Sequence, residues 1–437
     1  MLKVVKFGGS SVSGAEQFKK VRDIVRSDES RRIAVISAAG KRFSDDHKLT
    51  DLLYLCHAHL QYGVSCDDIL DSICERFVSI RDELGLTMDV EGEFNALRAS
   101  LSKSTSADSI VSRGEYFTSR LMAEYLGFTF VDAKDCVFFT VDGLIDREKT
   151  YAAIRSAYEE FGNIVIPGFY GALPSGKIKV MSRGGSDISG ALAAAATDAD
   201  IYENWTDVSG ILMADPRIVS NPQSIRQVTY GELRELAFMG ASVLHEESIA
   251  PVRLSKIPLN IRNTNAPEHP GTMIVDSIDG DDDEERLLTG VTGRKGFSVI
   301  TVHRHDMNIS GNLSKALAIL DRFRVSVEHI TLGLDSFAMV ASSAALGDNL
   351  YEIIAEIKKE CHPENIDVQD DIALVAAVGR KMTFRPGTSG KLFNALGEHG
   401  INIRTIAQGA DELSIIIGVD SSCFEDAVRI LYEGFAG

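Results

Sequence analysis

The order of predicted strands and helices repeats once in the last third of the chain, and this repeat limits the possible folds more than any other feature. From residue 297 the hydrophobic pattern predicts strand, helix, strand, strand, helix, and the same order returns from residue 372. Each copy is about 65 residues long, and a polar turn separates its two central strands. The repeat predicts two small α+β domains in tandem.

The first 275 residues have a different pattern, in which short buried strands alternate with helices. Apolar runs at residues 2–7, 33–36 and 164–166 predict strands, and amphipathic stretches between them predict helices. Such alternation is typical of an α/β domain, with a largely parallel central sheet layered between helices.

Acidic residues are concentrated between these two parts. Residues 276–285 (DSIDGDDDEE) contain seven acids in ten positions, and like charges keep such a segment extended and solvated. The predicted organisation is therefore an α/β domain at 1–275, an acidic linker at 276–290 and repeat domains at 291–365 and 366–437, whose boundaries can interdigitate.

The composition argues against several classes of protein. The chain has 437 residues with 45 Lys and Arg against 63 Asp and Glu, a net charge of −18, which does not suit a nucleic-acid surface or a basic membrane-binding face. No apolar run approaches the roughly 18 residues that span a bilayer. The six cysteines include no CxxC pair, which favours reduced thiols in a cytoplasmic protein.

Residues 56–59 (CHAH) are a candidate for metal binding. They lie on a predicted helix, where neighbouring side chains point in different directions. A structural role is therefore favoured over a metal site.

Residues 6–11 (KFGGSS) end the first predicted strand and lead into the first helix. Adjacent glycines let a backbone approach a phosphate closely, and a helix N-terminus offers free N–H groups. Lys6 could add a full positive charge beside a phosphoryl group. The segment matches neither the Walker A loop nor the dinucleotide fingerprint, and a simple tight turn explains it equally well.

Residues 183–187 (RGGSD) form a second glycine segment, ahead of an alanine-rich helix. The planar guanidinium of Arg183 suits a substrate carboxylate, because it can contact both oxygens. Ser186 or Asp187 could also act simply as the cap of the helix.

Residues 206–210 (TDVSG) and 214–217 (ADPR) follow a predicted strand at 201–203. Loops after the carboxyl ends of strands are where α/β sheets bind ligands. Taken singly, Asp207 and Asp215 are ordinary turn residues.

In combination these segments are far more specific. KFGGSS, SRGE at 112–115, RGGSD and TDVSG…ADPR, in this order, resemble the amino acid kinase superfamily and, within it, the aspartokinases. The resemblance covers nearly the whole chain, because aspartokinases also end in tandem ACT domains, which are βαββαβ modules that bind effectors. It implies a three-layer α/β kinase domain and an ATP- and Mg²⁺-dependent transfer of a phosphoryl group to the side-chain carboxylate of L-aspartate.

The resemblance also implies roles for individual residues, with Mg²⁺ carried by ATP and no separate protein metal site. The implied catalytic residues are Lys6 and Asp187. The implied ATP contacts are Lys6, Gly8, Gly9, Ser10, Thr206, Asp207 and Arg217. The implied substrate contacts are Ser37, Thr50, Glu115 for the ammonium group, Arg183 for the α-carboxylate, and Ser186.

For the tandem repeat domains, the resemblance implies a homodimer or higher oligomer built through the ACT domains. The implied effector is lysine, threonine, both or neither. The positions that match effector contacts are Met307, Ser326, Val327 and Glu328. The family's Thr-Thr-Ser-Glu is Thr-Leu-Gly-Leu at 331–334 here, so two hydroxyl contacts are absent.

Two further departures concern the kinase domain. Ser242 stands where the family has a lysine that contacts the nucleotide, and Glu246 stands where it has proline. Residues 41–48 (KRFSDDHK) form a longer and more polar link than usual, either a flap over the substrate site or a solvated loop. Rival interpretations are a glutamate kinase, which lacks SRGE and the ACT pair, and an amino-acid sensor with a drifted kinase domain, favoured only by Ser242.

Overall fold

The chain folds into two compact units, each of which combines separate stretches of sequence. The computed structural model describes every residue except 183, 241–243, 245, 279–286, 304–308, 381, 383–384, 410 and 436–437, and omits the side chains of 246 and 247. The predictions for Arg183, Ser242, Met307 and most of the acidic linker fall on residues outside the described ones. The first unit contains Met1–Ile211, Ser224–Tyr230 and Val243–Asp279, and the second contains Leu212–Gln223, Gly231–Ser242 and Gly280–Gly437.

The elements up to residue 275 follow the predicted alternation of strands and helices. The strands are β1 (Lys3–Phe7), β2 (Arg31–Ile36), β3 (Thr129–Phe130), β4 (Ile164–Pro167), β5 (Tyr170–Ala172), β6 (Ile178–Val180), β7 (Ile201–Thr206), β8 (Gln227–Thr229), β9 (Leu259–Asn263) and β10 (Thr272–Val275). The helices are α1 (Ala15–Arg26), α2 (Leu49–Tyr62), α3 (Asp67–Leu84), α4 (Val90–Ser100), α5 (Ala107–Val111), α6 (Arg113–Leu126), α7 (Ala133–Cys136), α8 (Arg147–Phe161), α9 (Gly185–Ala196), α10 (Tyr230–Phe238) and α11 (Glu246–Leu254).

The first unit is organised around an eight-stranded sheet in the order β3-β4-β2-β1-β7-β9-β10-β8. All neighbours in this sheet run parallel except β9 and β10, which are antiparallel. One face buries an apolar core with α1, α3, α4 and α6, while α9 crosses the other face and packs between α8 and α11. The predicted three-layer α/β domain is confirmed.

The second unit contains the repeat that the sequence predicts. Its strands are β11 (Gly290–His303), β12 (Val327–Leu332), β13 (Ser336–Ser342), β14 (Asn365–Val378), β15 (Thr405–Gln408) and β16 (Ser414–Asp420). Its helices are α12 (Ile309–Arg322), α13 (Ser343–Leu346), α14 (Leu350–Cys361), α15 (Thr388–Glu398) and α16 (Phe424–Phe435).

The two repeat modules share one antiparallel sheet in the order β12-β13-β11-β14-β16-β15. Its two central strands, β11 and β14, pair along their whole length, and their register shifts near Phe297. Val291 and Val375 belong to a core with α15 and α16, whereas Ile300 and Val302 belong to a second core with α12 and α14. Each central strand therefore serves both modules, which confirms two α+β modules and adds that they are joined through a common sheet.

Segments from the first 275 residues belong to the second unit. On α10, the fully buried Glu232 accepts hydrogen bonds from the backbone N–H of Arg380 at 3.2 Å and from Thr289. Glu235 accepts one from Ser414 Oγ at 2.7 Å. The second unit is thus completed by α10, which ends at Phe238, some fifty residues before the repeat begins with β11 at Gly290.

Candidate active site

A lysine, an aspartate and an asparagine meet at the carboxyl edge of the parallel sheet. The register of β1 and β7 places Lys6 directly beside Asn204, so both side chains project from the same face of the sheet. That face carries α9, whose first turn contains Asp187. The ammonium of Lys6 lies 2.6 Å from Asp187 Oδ1 and 3.4 Å from Asn204 Oδ1, and Asn204 Nδ2 donates to Asp187 Oδ1 at 2.9 Å.

The opposite face of the same two strands carries an aromatic stack and a buried ion pair that fix their position. Phe7 and Trp205 are register partners, and their rings stack with centroids 6.1 Å apart. Trp205 Nε1 donates to the buried carboxylate of Glu203 at 2.9 Å, which is also bound by Arg31 at 2.8 Å. The strands that hold Lys6 and Asn204 are therefore anchored from behind.

The glycine segment after β1 is held by close contacts between main chains. Gly8 N–H donates to the carbonyl of Trp205 at 3.0 Å, and Gly40 N–H donates to the carbonyl of Gly9 at 2.8 Å. A Cβ atom on Gly40 would lie 2.6 Å from the carbonyl carbon of Gly9, and one on Gly9 would lie 2.9 Å from the carbonyl oxygen of Ala38. Two loops cross here at a distance that only glycine permits. Ser10 lies in the single helical turn that follows, Gly9–Val12.

The loop before α9 depends on two unusual backbone conformations. Gly184 has a φ of +75°, and Phe169 in the turn after β4 has a φ of +76°, which is rare for a bulky residue. A Cβ atom on Gly185 would lie 2.7 Å from Phe169 Cδ2, and one on Gly168 would lie 2.7 Å from Ser186 Cβ. The turn after β4 thus packs directly against the loop that precedes Asp187.

Glu115 is a buried carboxylate that lacks a full set of partners. It lies on α6 with 5% of its surface exposed, and its Oε2 atom has no hydrogen-bond partner. Burial raises the pKa of Glu115 to about 8, although a backbone hydrogen bond from Ala38 and the charge of Arg113 oppose the rise. An unpartnered buried carboxylate oxygen is suited to a cationic ligand group.

Other predicted substrate residues surround the start of α6. A Cβ atom on Gly114 would lie 2.8 Å from Leu49 Cδ2 and 3.0 Å from Ala38 Cβ, so α6 packs tightly against both segments. Leu49 directly precedes Thr50 in the first turn of α2. Ala38 directly follows Ser37, which is the first residue after β2. The structure thus brings the elements that carry Ser37, Thr50 and Glu115 into contact.

Residues 41–48 are exposed apart from Asp46 and are fixed at both ends by a buried arginine. Arg76 on α3, 4% exposed, donates to the carbonyls of Gly40 at 2.6 Å and His47 at 3.0 Å. Asp46 accepts from Arg42 at 2.9 Å and lies 3.5 Å from Arg76, and hydrogen bonding with Arg42 holds the pKa of this carboxyl well below its usual range. The loop is therefore anchored to α3 beside the glycine crossing.

The predicted nucleotide contacts that follow β1, Gly8, Gly9 and Ser10, are described above with Lys6. The other three predicted contacts lie in different units. Thr206 is the last residue of β7 in the first unit and Asp207 follows it, and Thr206 Oγ1 donates to Asp207 Oδ1 at 3.2 Å. Arg217 belongs to the second unit, where its 88% exposed side chain pairs with Asp215 at 2.6 Å. Its predicted nucleotide contact stays a prediction.

The three predicted effector positions that the structure describes lie around the start of β12. Ser326 is exposed and precedes the strand, and Val327 and Glu328 are its first two residues. Glu328 lies 3.5 Å from Arg294 of β11. Their roles also stay predictions.

Sequence reasoning missed two residues of the site. Asn204 carried a signal, because it is a polar side chain in the middle of a buried strand. Phe169 carried none, because its residue type does not indicate a positive φ.

Within the described residues no group of three or more His, Cys, Asp or Glu could hold a metal ion. In the same part of the chain, no helix has the length and apolar character that a membrane span requires.

Family models match both parts of the chain. The amino acid kinase family model matches residues 1–263, and an ACT domain model matches residues 375–435. The chain belongs to the amino acid kinase family.

The relatives narrow this assignment. Aspartokinase 3 of Bacillus subtilis is 33% identical over 99% of this chain and 98% of its own length. The crystal structure of Clostridium acetobutylicum aspartate kinase covers 99% of both chains with 43% identity and a TM-score of 0.92. Escherichia coli aspartokinase III, at 26% identity and full coverage of both chains, superimposes with TM-scores of 0.74 for its complex with aspartate and ADP and 0.73 for its complex with lysine and aspartate. Within the amino acid kinases, the chain is a member of the aspartokinase family.

Proposed function

We propose that this chain transfers the γ-phosphoryl group of ATP to the side-chain carboxylate of L-aspartate, forming 4-phospho-L-aspartate and ADP. The observation that carries the proposal is the ion pair between Lys6 and Asp187 at the carboxyl edge of the sheet, in a chain of the aspartokinase family. The E. coli relative crystallised with aspartate and ADP supports the choice of both substrates.

The acceptor needs positioning and charge neutralisation rather than activation. A carboxylate with a pKa of about 4 is already ionised at neutral pH, so it attacks the γ-phosphorus without a general base. The reaction then depends on in-line alignment and on cations beside the phosphoryl oxygens. Lys6 supplies such a cation, and main-chain N–H groups of the glycine segment and of the α9 N-terminus supply neutral donors.

The amino acid is held by charge complementarity. The unpartnered Oε2 atom of Glu115 accepts the substrate's ammonium group, while Ser37, Thr50 and Ser186 supply hydroxyl groups around it. Arg183 is proposed to bind the α-carboxylate, on the basis of the family pattern. This set suits a zwitterion that presents a second carboxylate to the nucleotide.

Magnesium is proposed to arrive with ATP, bound mainly by the phosphates, as Mg²⁺ usually is in phosphoryl-transfer sites. Asp187 suits such an ion chemically. Its Oδ1 atom accepts from Lys6 and Asn204, whereas its other carboxylate oxygen makes no hydrogen bond in the described part of the chain. When bound, the ion would offset negative charge on the transferring phosphoryl group.

Trapping of the acyl phosphate tests the proposal. The full chain is incubated with MgATP and hydroxylamine, with either L-aspartate or L-glutamate as acceptor. Hydroxamate that forms with aspartate at a rate at least about a hundredfold above that with glutamate is the expected result, a ratio within the range of enzymatic discrimination. Equal rates would favour a broader amino acid kinase, and no product with either acceptor would contradict the function.

Regulation through the ACT modules is a further part of this proposal. We propose a homodimer formed through these modules. An effector such as lysine, bound near Ser326, Val327 and Glu328, is supported by the E. coli relative crystallised with lysine and aspartate. In the part of the chain that the structure describes the six cysteines form no disulfide with one another, which suits the reducing cytoplasm. Lysine and threonine, added singly and together to the hydroxamate assay, test which effector acts. Light scattering measures the mass of the protein in solution and so tests the homodimer separately.

A further inference from the structure

Asn204 is a buried amide in the middle of β7. It lies on β7 with 3% of its surface exposed. A buried amide is costly unless its donor and acceptor are both satisfied. Both ends of this amide are used inside the candidate active site, on Lys6 and on Asp187.

The chemistry of the three groups fixes the orientation of the amide. The carbonyl oxygen faces the ammonium of Lys6 and the NH₂ group faces the carboxylate of Asp187. The reversed amide would place a donor against the cation and an acceptor against the anion, so only one orientation is favourable.

The number of donors on Lys6 shows what the asparagine adds. An ammonium group has three N–H donors. In the described part of the chain it contacts two acceptors, Asp187 Oδ1 at 2.6 Å and Asn204 Oδ1 at 3.4 Å. Two contacts on one nitrogen stop its free rotation and leave the third N–H with a fixed direction.

We propose that Asn204 is a positioning residue for phosphoryl transfer, which holds Lys6 so that its third N–H donor is available to the γ-phosphoryl group rather than absorbed by Asp187. This inference rests on the proposed function. Asn204 does not touch the reacting atoms, and it acts through Lys6 and Asp187.

A pair of isosteric substitutions tests the inference. Asn204→Thr keeps a hydroxyl group that can both accept from Lys6 and donate to Asp187, whereas Asn204→Val has the same branched shape without it. Thr150→Val is the matched control, since it removes a buried hydroxyl on α8 that accepts from the backbone N–H of Phe138 at 3.0 Å.

Steady-state kinetics should separate positioning from packing. Asn204→Val is expected to lower kcat by about 10- to 100-fold, with the KM for aspartate within about threefold of wild type, in line with the loss of an aligned active-site donor. Asn204→Thr should recover most of the loss, and Thr150→Val should leave kcat unchanged. Equal kcat for the threonine and valine variants, or an effect on KM alone, would overturn the inference.

Nucleotide affinity gives a readout that needs no phosphoryl acceptor. Because the third N–H is assigned to the γ-phosphoryl group, Asn204→Val should weaken binding of Mg–AMP-PNP about tenfold more than binding of Mg–ADP, measured by calorimetry. Equal losses for the two nucleotides would refute the inference even if aspartate proved to be the wrong acceptor.

A further variant covers the case in which Asn204→Val does not fold. Asn204→Asp keeps the size of the side chain and the acceptor toward Lys6, but replaces the donor toward Asp187 with a second negative charge. It should lower kcat more than Asn204→Thr does, and wild-type turnover in this variant would contradict the inference.

Discussion

At the residue scale, Glu115 illustrates how burial can prepare a carboxylate for a cationic ligand. Its raised pKa of about 8 means that the free protein holds this group mostly neutral at pH 7. A bound ammonium group favours the charged form, so ligand binding should release a proton.

This linkage predicts a pH dependence of substrate capture. As pH rises from about 6 toward 8, the carboxylate form of Glu115 becomes populated, so kcat/KM for aspartate should rise by up to about tenfold per pH unit and then level off. Glu115→Gln should abolish the slope and leave a low, flat profile. A wild-type profile that is flat or falls over this range would refute the role of Glu115.

The charge of Lys6 should matter far more for turnover than for folding. Lys6→Met removes the cation while keeping a flexible chain of similar length, and it should lower kcat by roughly three orders of magnitude or more. Circular dichroism and the thermal midpoint of the variant should stay close to wild type, because Asp187 keeps Asn204 as a donor. Turnover within about tenfold of wild type would show that Lys6 is not catalytic.

The motif residues were predictable because they are contiguous in sequence, whereas the partners of Asn204 were not, although its polar side chain in a buried strand was visible. Residues 6–11 and 183–187 each present glycine beside charge, which marks a ligand loop directly. Asn204 gains its meaning from its register with Lys6, 198 positions away, and a single sequence carries no record of that pairing. Arg76 was missed for the same reason, since its partners lie in a loop on another element.

At the element scale, the crossing of Gly9 and Gly40 constrains the main chain beside Lys6. A Cβ atom at residue 40 would press on main-chain atoms, which cannot rotate away as a side chain can. A side chain at residue 40 would therefore displace the main chain of Gly9 and Ser10, in the segment that follows Lys6.

Gly40→Ala should consequently lower the free energy of unfolding by about 1–3 kcal/mol, the range found when groups are forced into packed sites. Gly14→Ala is a matched control, because nothing lies within 4 Å of its Cβ position and its extended φ of −174° suits alanine. Urea unfolding of both variants gives the comparison. Equal stability of the two would mean that the crossing can relax.

Strand lengths in the second unit show the limit of hydrophobic patterns. Apolar runs at 297–302 and 372–378 predicted short strands, whereas β11 and β14 each have 14 residues. The additional halves are more polar, and each pairs with the apolar half of its partner. A pattern within one segment cannot report a partner strand.

At the scale of the whole molecule, compact units and sequence segments do not coincide. The second unit contains α10, although the amino acid kinase family model extends to residue 263. Leu233 and Leu236 of α10 are buried, and Gly290 of β11 lies against Leu236. Cutting the chain at the acidic linker would therefore strip α10 of its packing.

A fragment of residues 1–278 should accordingly be less stable than the full chain. Exposure of two leucines costs about 3–6 kcal/mol, which corresponds to a decrease in Tm of roughly 10 °C. Calorimetry and size-exclusion chromatography of the fragment measure this, and the same fragment with Leu233→Ser and Leu236→Ser should be less aggregated. A fragment as stable and monodisperse as the full chain would show that α10 needs no partner.

The shared central strands β11 and β14 have a consequence for how such chains can be recombined. If two related genes recombined between the two ACT modules, each chimeric protein would combine β11 from one parent with β14 from the other. These two strands pair along their whole length, so their contacts would be mismatched. Exchange of these modules between relatives should therefore succeed only when both modules are transferred together. The pair is the smallest unit that gene shuffling can transplant intact.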